Sequence, residues 1–210
     1  RIHAVQDAAE APPPGFESAP RVATGGTIYP GLVELHNHLG YNVLPMWQVP
    51  RRFDEREQWK GHPEKRRLIT GPMQVLGKTP GYVEAIARYV EAKCLVAGVT
   101  TSQGITLYGT AIERCFRGIV RNVEQPGDEA LPAATTRVDD VPPGGADDLC
   151  ARLAQAAGAC HLLHLAEGVP EAARDHFLNL LLDDGTWAIT PALAGIHSLG
   201  LTADDLGVMA

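Results

Sequence analysis

The sequence predicts an α/β fold built on a parallel sheet, either a barrel or an open doubly wound sheet. Three observations lead there. From Thr27 onward, short apolar runs alternate with helical patterns in about six successive β-then-α units. No β-hairpin signal interrupts the alternation. The 210 residues, 45% hydrophobic and 20% charged, are also long enough and apolar enough to bury a core.

Taken in order, residues 7–26 are rich in Ala, Pro and Gly, including Pro12-Pro13-Pro14-Gly15, and read as a linker. What precedes them, Ile2 to Gln6, is too short for a domain. The stretch Thr27 to His38 (TIYPGLVELHNH) holds the first strand, over Leu32 to His36. Thr79-Pro80 supplies an N-cap and a proline at the first helical position. The helix it opens carries an apolar stripe of Val83, Ile86, Ala87, Val90, Cys94 and Leu95, and Gly98 ends it as the C′ glycine. Val99 to Ile105 follows as a strand, Thr110 to Arg117 as a short helix, and Gly118 to Val123 as another strand.

Ala134 to Val138 is a weak strand, and Ala146 to Ala157 a helix closed by Gly158. Ala159 to Leu165 (ACHLLHL) reads as a buried strand. Pro170 to Leu182 is a helix and Ala188 to His197 a strand region. Thr202 with Asp205 forms a capping pair that opens a last helix.

The charge balance of 18 Lys and Arg against 25 Asp and Glu gives −7, which disfavours nucleic acid and anionic membranes as partners. The basic tract Lys60 to Arg67 is short, contains Glu64, and reads as a solvated face. The longest charge-free stretches, Cys94 to Ile112 and Gly185 to Ala203, carry polar residues, Gly or Pro throughout, unlike a hydrocarbon-spanning helix. Cys94, Cys115, Cys150 and Cys160 show no CxxC spacing, so neither a zinc ribbon nor a disulfide framework is expected. The first residues lack a signal-peptide layout, which leaves the cytoplasm as the default location.

The chemistry is concentrated in the histidines. His36 and His38 stand one residue apart at the end of the first strand, where a period of two points both toward one face. His164 ends the fifth apolar run with Glu167 three residues on, and His197 ends the sixth. All four stand at C-terminal strand ends, the rim on which parallel α/β architectures build sites. A bound divalent metal is the natural reading. His161 is an odd number of strand positions from His164 and is expected to be packed or hydrogen-bonded. His3, His62 and His176 fall in terminal, loop or helix-surface settings. Competing motifs are missing: there is no HExxH, no HxE…PCxxC, no P-loop and no GxGxxG, and GIHSLG lacks the first glycine of GxSxG.

Tyr29-Pro30-Gly31-Leu32-Val33-Glu34-Leu35-His36-Asn37-His38 closely resembles the first-strand signature of the metal-dependent amidohydrolase superfamily. Ala97-Gly98-Val99-Thr100-Thr101 is similar to that family's second-strand entry. His164-Leu165-Ala166-Glu167 resembles the fifth-strand HxxE of its cytosine deaminase, guanine deaminase and chlorohydrolase branch, and His197 its sixth-strand histidine. The resemblance runs from about residue 27 to the C-terminus.

It implies a (β/α)8 barrel of TIM type, incomplete in this chain, which has about six βα units. His36, His38 and His164 would bind one divalent metal, Zn²⁺ before Fe²⁺. Glu167 would carry a proton, and His197 would position hydroxide or polarise a small-molecule substrate in a deaminase-like hydrolysis of a C–N bond. Arg137 stands where two-metal members have a lysine, so one metal is implied. Trp47 and Gln103 are candidate substrate contacts, although packing explains the tryptophans Trp47 and Trp59 equally well.

Residues 1–26 would be a remnant of the family's small β-sandwich plus a linker, and 27–210 a partial barrel. The family's eighth-strand aspartate has no counterpart, since Asp139 and Asp140 read as loop residues. The stretch from residue 27 is also shorter than the about 250 residues of a typical closed barrel. The chain is therefore expected to be a piece of a longer product or a truncation, and a poor enzyme alone. A non-catalytic binding or assembly protein and a purely structural metal site are the alternatives, and a homo-oligomer is left open.

Overall fold

The architecture is α/β with two small parallel sheets of three strands each, in a computed structural model that describes residues 2–104, 115, 119–128, 130–155 and 158–210. Two units separate along the chain. Arg1–Pro30 holds turns and no regular element among its described residues, as its Pro and Gly content predicts. Gly31–Ala210 holds every helix and strand described below.

The first sheet orders β1 (Leu32–Glu34), β2 (Val99–Ser102) and β3 (Arg121–Asn122). The second orders β4 (Thr135–Arg137), β5 (His161–Leu165) and β6 (Leu193–His197). All neighbouring strands are parallel, with Leu32 opposite Val99 and Leu165 opposite His197. The expected helix at Thr110 to Arg117 lies outside the described residues apart from Cys115. So do Ile105, Gly118, Ala156 and Ala157, at the ends of other expected elements.

The TIM-type barrel is not what the chain forms. Closure needs a ladder between β3 and β4 and another between β6 and β1, and neither exists among the described residues. The sheets are tied instead by the backbone hydrogen bond from Ala134 N–H to the Val123 carbonyl, 2.8 Å long. Strand length is the physical reason. β3 has two residues and β1 three, and Leu32, Val33 and Leu35 remain exposed, so little burial rewards a longer ladder there.

Between β1 and β2 the chain forms α1 (Arg56–Lys60), α2 (Pro63–Lys65), a π turn (Arg66–Thr70), α3 (Gly71–Lys78) and α4 (Tyr82–Val96). Of these the sequence reading anticipates α4 alone. Gly61, Pro63 and the Gly71-Pro72 pair cut the earlier stretch into pieces too short to show a stripe. In α4, Ile86, Ala87, Val90 and Cys94 are buried as expected, whereas Leu95 is exposed. Thr79 closes α3, its hydroxyl donating to the Val75 carbonyl at 2.7 Å, and Gly81 at φ 82° is the residue that starts α4. Gly98, at φ 78°, donates to Leu95 as the expected C′ glycine.

The larger core packs β5 against α5 (Ala146–Gln155) and α6 (Pro170–Leu178) through Leu149, Leu153, Leu163, Leu165 and Phe177. Every residue of β5 is buried, as suits a central strand covered on both faces. Each large apolar side chain there contributes about 1.5–3 kcal/mol. α7 (Ala203–Met209) begins with the expected capping box of Thr202 and Asp205. No helix among the described residues is long and apolar enough to cross a membrane.

Candidate metal centre

β1 ends at Glu34, so His36 and His38 stand on the bend that follows it rather than within the strand. That bend is pinned to the end of β2. Asn37 N–H donates to the Gln103 carbonyl at 3.0 Å, and Gly104, at φ 98°, lets the Asn37 backbone come so close that a Cβ would lie 2.5 Å from its oxygen. The two imidazoles meet edge to face, with centroids 4.8 Å apart.

His164 arrives from buried β5, its ring 4.7 Å from that of His36 and 5.5 Å from that of His38. One ligand nitrogen from each of His36, His38 and His164 lies within 4.8 Å of the others. Nitrogens bound to a tetrahedral zinc stand roughly 3.3 Å apart, a gap that small side-chain rotations close.

Two of the three rings are oriented by groups behind them. His164 Nδ1 donates to the Arg137 carbonyl at 3.2 Å, which leaves its Nε2 buried with no hydrogen-bond partner among the described residues. A buried imidazole nitrogen without a partner is costly until a cation or a water uses it, and at His164 two further imidazoles converge on the same point. His36 Nδ1 bonds the Gln103 Oε1. The Gln103 amide is itself held, donating to Glu124 Oε1 at 2.8 Å and Thr136 Oγ1 at 3.2 Å, with Thr136 bonding Glu124 at 2.5 Å. Because the amide nitrogen faces these oxygens, its carbonyl accepts from His36 Nδ1–H, freeing Nε2 as a ligand.

His36, Asn37, His38, Arg56, Trp59, Val138, His164, Glu167 and His197 line one cavity of about 300 Å³. The Glu167 carboxylate lies 3.6 Å from His197 Nε2 and 3.8 Å from Arg56 Nε. Burial pushes the Glu167 carboxyl above its ordinary range, against the pull of Arg56. Burial, then the neighbouring His36, lowers His38 to about 4. His164 is also lowered to about 4, by burial first, and His197 is shifted down for the same leading reason. Neutral imidazoles of this kind are what a divalent metal requires.

Backbone strain concentrates here. Ala166 (φ 47°), His197 (φ 68°) and Ser198 (φ 51°) are the left-handed non-glycine residues among those described. Each costs about 1–3 kcal/mol and persists only where other contacts hold it. Ala166 N–H donates to Asp140 Oδ1 at 3.0 Å, and its carbonyl accepts from Gly168 and Gly200 at 3.0 and 2.9 Å. Ser198 N–H donates to Leu165 at 2.9 Å, turning the end of β6 over the end of β5. These turns carry Glu167 and His197 into the cavity.

Five of the sequence-selected residues, His36, His38, His164, Glu167 and His197, thus share one cavity. Gln103 is not among its lining residues, being 2% exposed with its amide engaged behind His36. Trp47 lines a neighbouring depression. His161 is buried and bonds Thr135 Oγ1 at 2.7 Å, in keeping with its expected structural role. Asp139, expected as a loop residue, pairs with Lys60 at 2.8 Å and Arg56 at 3.2 Å.

Sequence reasoning missed Arg56 and Glu124, and it reads Asp140 only as a loop residue, whereas its carboxylate holds the Ala166 N–H. Arg56 is brought in because Val169 N–H bonds the Asp54 carbonyl at 2.7 Å and Gly168 has no Cβ to keep that segment away. Its guanidinium also donates to the Val138 carbonyl. The available signal was positional, since Asp140 follows β4 closely and Glu124 follows β3.

Searches against family models, curated proteins and solved structures return no match to this chain.

Proposed function

We propose that the chain is a metal-dependent hydrolase acting on a C–N bond, with His36, His38 and His164 holding one divalent cation, zinc before iron. The observation that carries this is the convergence of three imidazole nitrogens within 4.8 Å, one of them buried and otherwise unpaired. The motif order that resembles the amidohydrolase superfamily supports the same reading.

A cation held there supplies Lewis acidity that brings a water's pKa toward neutrality. The remaining work falls to side chains of this chain. Glu167, whose carboxyl burial shifts upward, is suited to take a proton from the water as its oxygen bonds to carbon and to pass it to the departing nitrogen as the C–N bond breaks. His197, 3.6 Å from Glu167, is placed to polarise the substrate or orient the attacking oxygen. Arg56, paired with Glu167 and Asp139, fixes the carboxylate on the cavity wall. Trp59 and Val138 give the cavity an apolar side.

A non-catalytic use of the same centre is favoured by one feature: among the described residues no aspartate lines the cavity. Turnover separates the two. Zinc-loaded protein screened on heterocyclic amines and cyclic amides should release ammonia or open the ring, and Glu167→Gln should lose that activity while keeping its zinc. Stoichiometric zinc without turnover on any such substrate favours the binding reading.

A further inference from the structure

Beside the histidine cavity, Trp47, Val49, Arg51, Arg52, Phe53 and Trp59 line a second, larger one of about 790 Å³. Trp59 belongs to both walls. The aromatic rings are braced. Trp47 and Phe53 lie 6.2 Å apart, His62 is 5.7 Å from the first and 5.6 Å from the second, and the Trp47 indole N–H donates to Glu64 at 3.3 Å. All three aromatic side chains of the wall are half-buried, which leaves part of each ring to a ligand.

The two charged side chains among the lining residues, Arg51 and Arg52, are both cationic. The Arg51 guanidinium sits 4.5 Å from the centre of the Phe53 ring, and Lys65 Nζ lies 4.6 Å from that of Trp59. Arg51 and Arg52 are exposed and pair with no carboxylate among the described residues, although the chain as a whole carries −7. Glu64, an acidic group nearby, is engaged by Trp47. Aromatic faces favour a flat apolar group through offset stacking, and a guanidinium favours a planar anion through paired hydrogen bonds.

We propose that this pocket is a subsite for a planar aromatic group bearing an anionic substituent, the part of the substrate remote from the bond that is broken. The proposal rests on the hydrolase reading, since the pocket lies against the metal cavity with Trp59 lining both. Arg51 and Arg52 meet the anion, and Trp47, Phe53 and Trp59 take the ring.

The test is calorimetric titration of the chain with 2-naphthalenesulfonate, whose sulfonate is a poor zinc ligand, with and without zinc. Saturable one-site binding is expected in both conditions. The neutral 2-naphthylmethanol and methanesulfonate should each bind at least about tenfold more weakly. Arg51→Gln/Arg52→Gln should weaken the sulfonate by about tenfold or more, while Arg88→Gln, on the exposed face of α4, leaves it unchanged. No saturable binding, equal binding of the neutral alcohol, or an equal loss in Arg88→Gln overturns the subsite. Zinc content measured on the same samples separates the two ideas. Zinc without sulfonate binding overturns the subsite and leaves the metal centre standing. Sulfonate binding by a folded chain that retains no zinc when zinc is supplied overturns the hydrolase reading and with it the pocket's substrate role.

Discussion

Gln103→Leu removes the group that bonds His36 Nδ1 among the described residues, without touching any of the three nitrogens proposed to hold the metal. In the intact chain the amide is locked by Glu124 and Thr136, so His36 keeps one tautomer and one ring orientation. Loss of such an outer-shell partner lowers metal affinity by about 10–100-fold, or about 1.4–2.7 kcal/mol. The variant also leaves Glu124 and Thr136 short of a donor, which lowers fold stability by about 1–3 kcal/mol. Stability loss alone must therefore be separated from loss of orientation. Asn179→Leu provides the control, because it deletes a part-buried side-chain bond to the Val141 carbonyl (2.9 Å) outside the cavity lining. Zinc affinity read by competition with a chromophoric chelator should fall for Gln103→Leu and hold for Asn179→Leu, with both folded by circular dichroism. Equal zinc affinity in Gln103→Leu and the unaltered chain refutes the orienting role.

Three further outcomes follow from the packing and the charges. Phe177 is fully buried and stacked on Trp187 at 4.8 Å, so Phe177→Ala should cost about 3–5 kcal/mol in urea unfolding. Gly168→Ala would put a Cβ 2.3 Å from the Asp54 carbonyl, so the 54–56 segment must shift; a loss of about 1–3 kcal/mol is expected, with an unchanged midpoint contradicting the packing. Asp205 accepts two bonds from Arg174, at 2.7 and 2.8 Å, as well as capping α7, which holds its carboxyl far below the ordinary 3.8. A depressed folded pKa contributes stability that is present above the unfolded value and lost as pH falls through the folded one. The Tm gap between the chain and Asp205→Asn should therefore be widest above about pH 5 and shrink as the solution is acidified below about pH 4. A constant gap contradicts it.

The legibility of this protein in its sequence differs from level to level. Elements with a periodic stripe or punctuation were readable: α4 with Gly98, β5 as an unbroken apolar run, and the Thr202–Asp205 cap all stand where their local chemistry puts them. Strand order was inferred from the alternation of elements, which specifies parallel pairing but not closure. β1 and β3 are too short, and the apolar residues of β1 too exposed, for alternation to become a barrel. The histidines were readable because their spacing places them at strand ends. Arg56 was not, since it enters the cavity through a backbone contact between Asp54 and Val169, more than a hundred residues apart in sequence. Gln103 was selected by its place after β2, and that place is real, but its direction depends on Glu124 and Thr136 from two other segments.

The most direct test of the central claim is metal content per chain. Monodisperse protein equilibrated with zinc and desalted should retain about one equivalent, and the His36→Ala/His38→Ala variant should retain none. No zinc on the folded, unaltered chain, or the same zinc on the double variant, contradicts the metal centre and the hydrolytic function built on it.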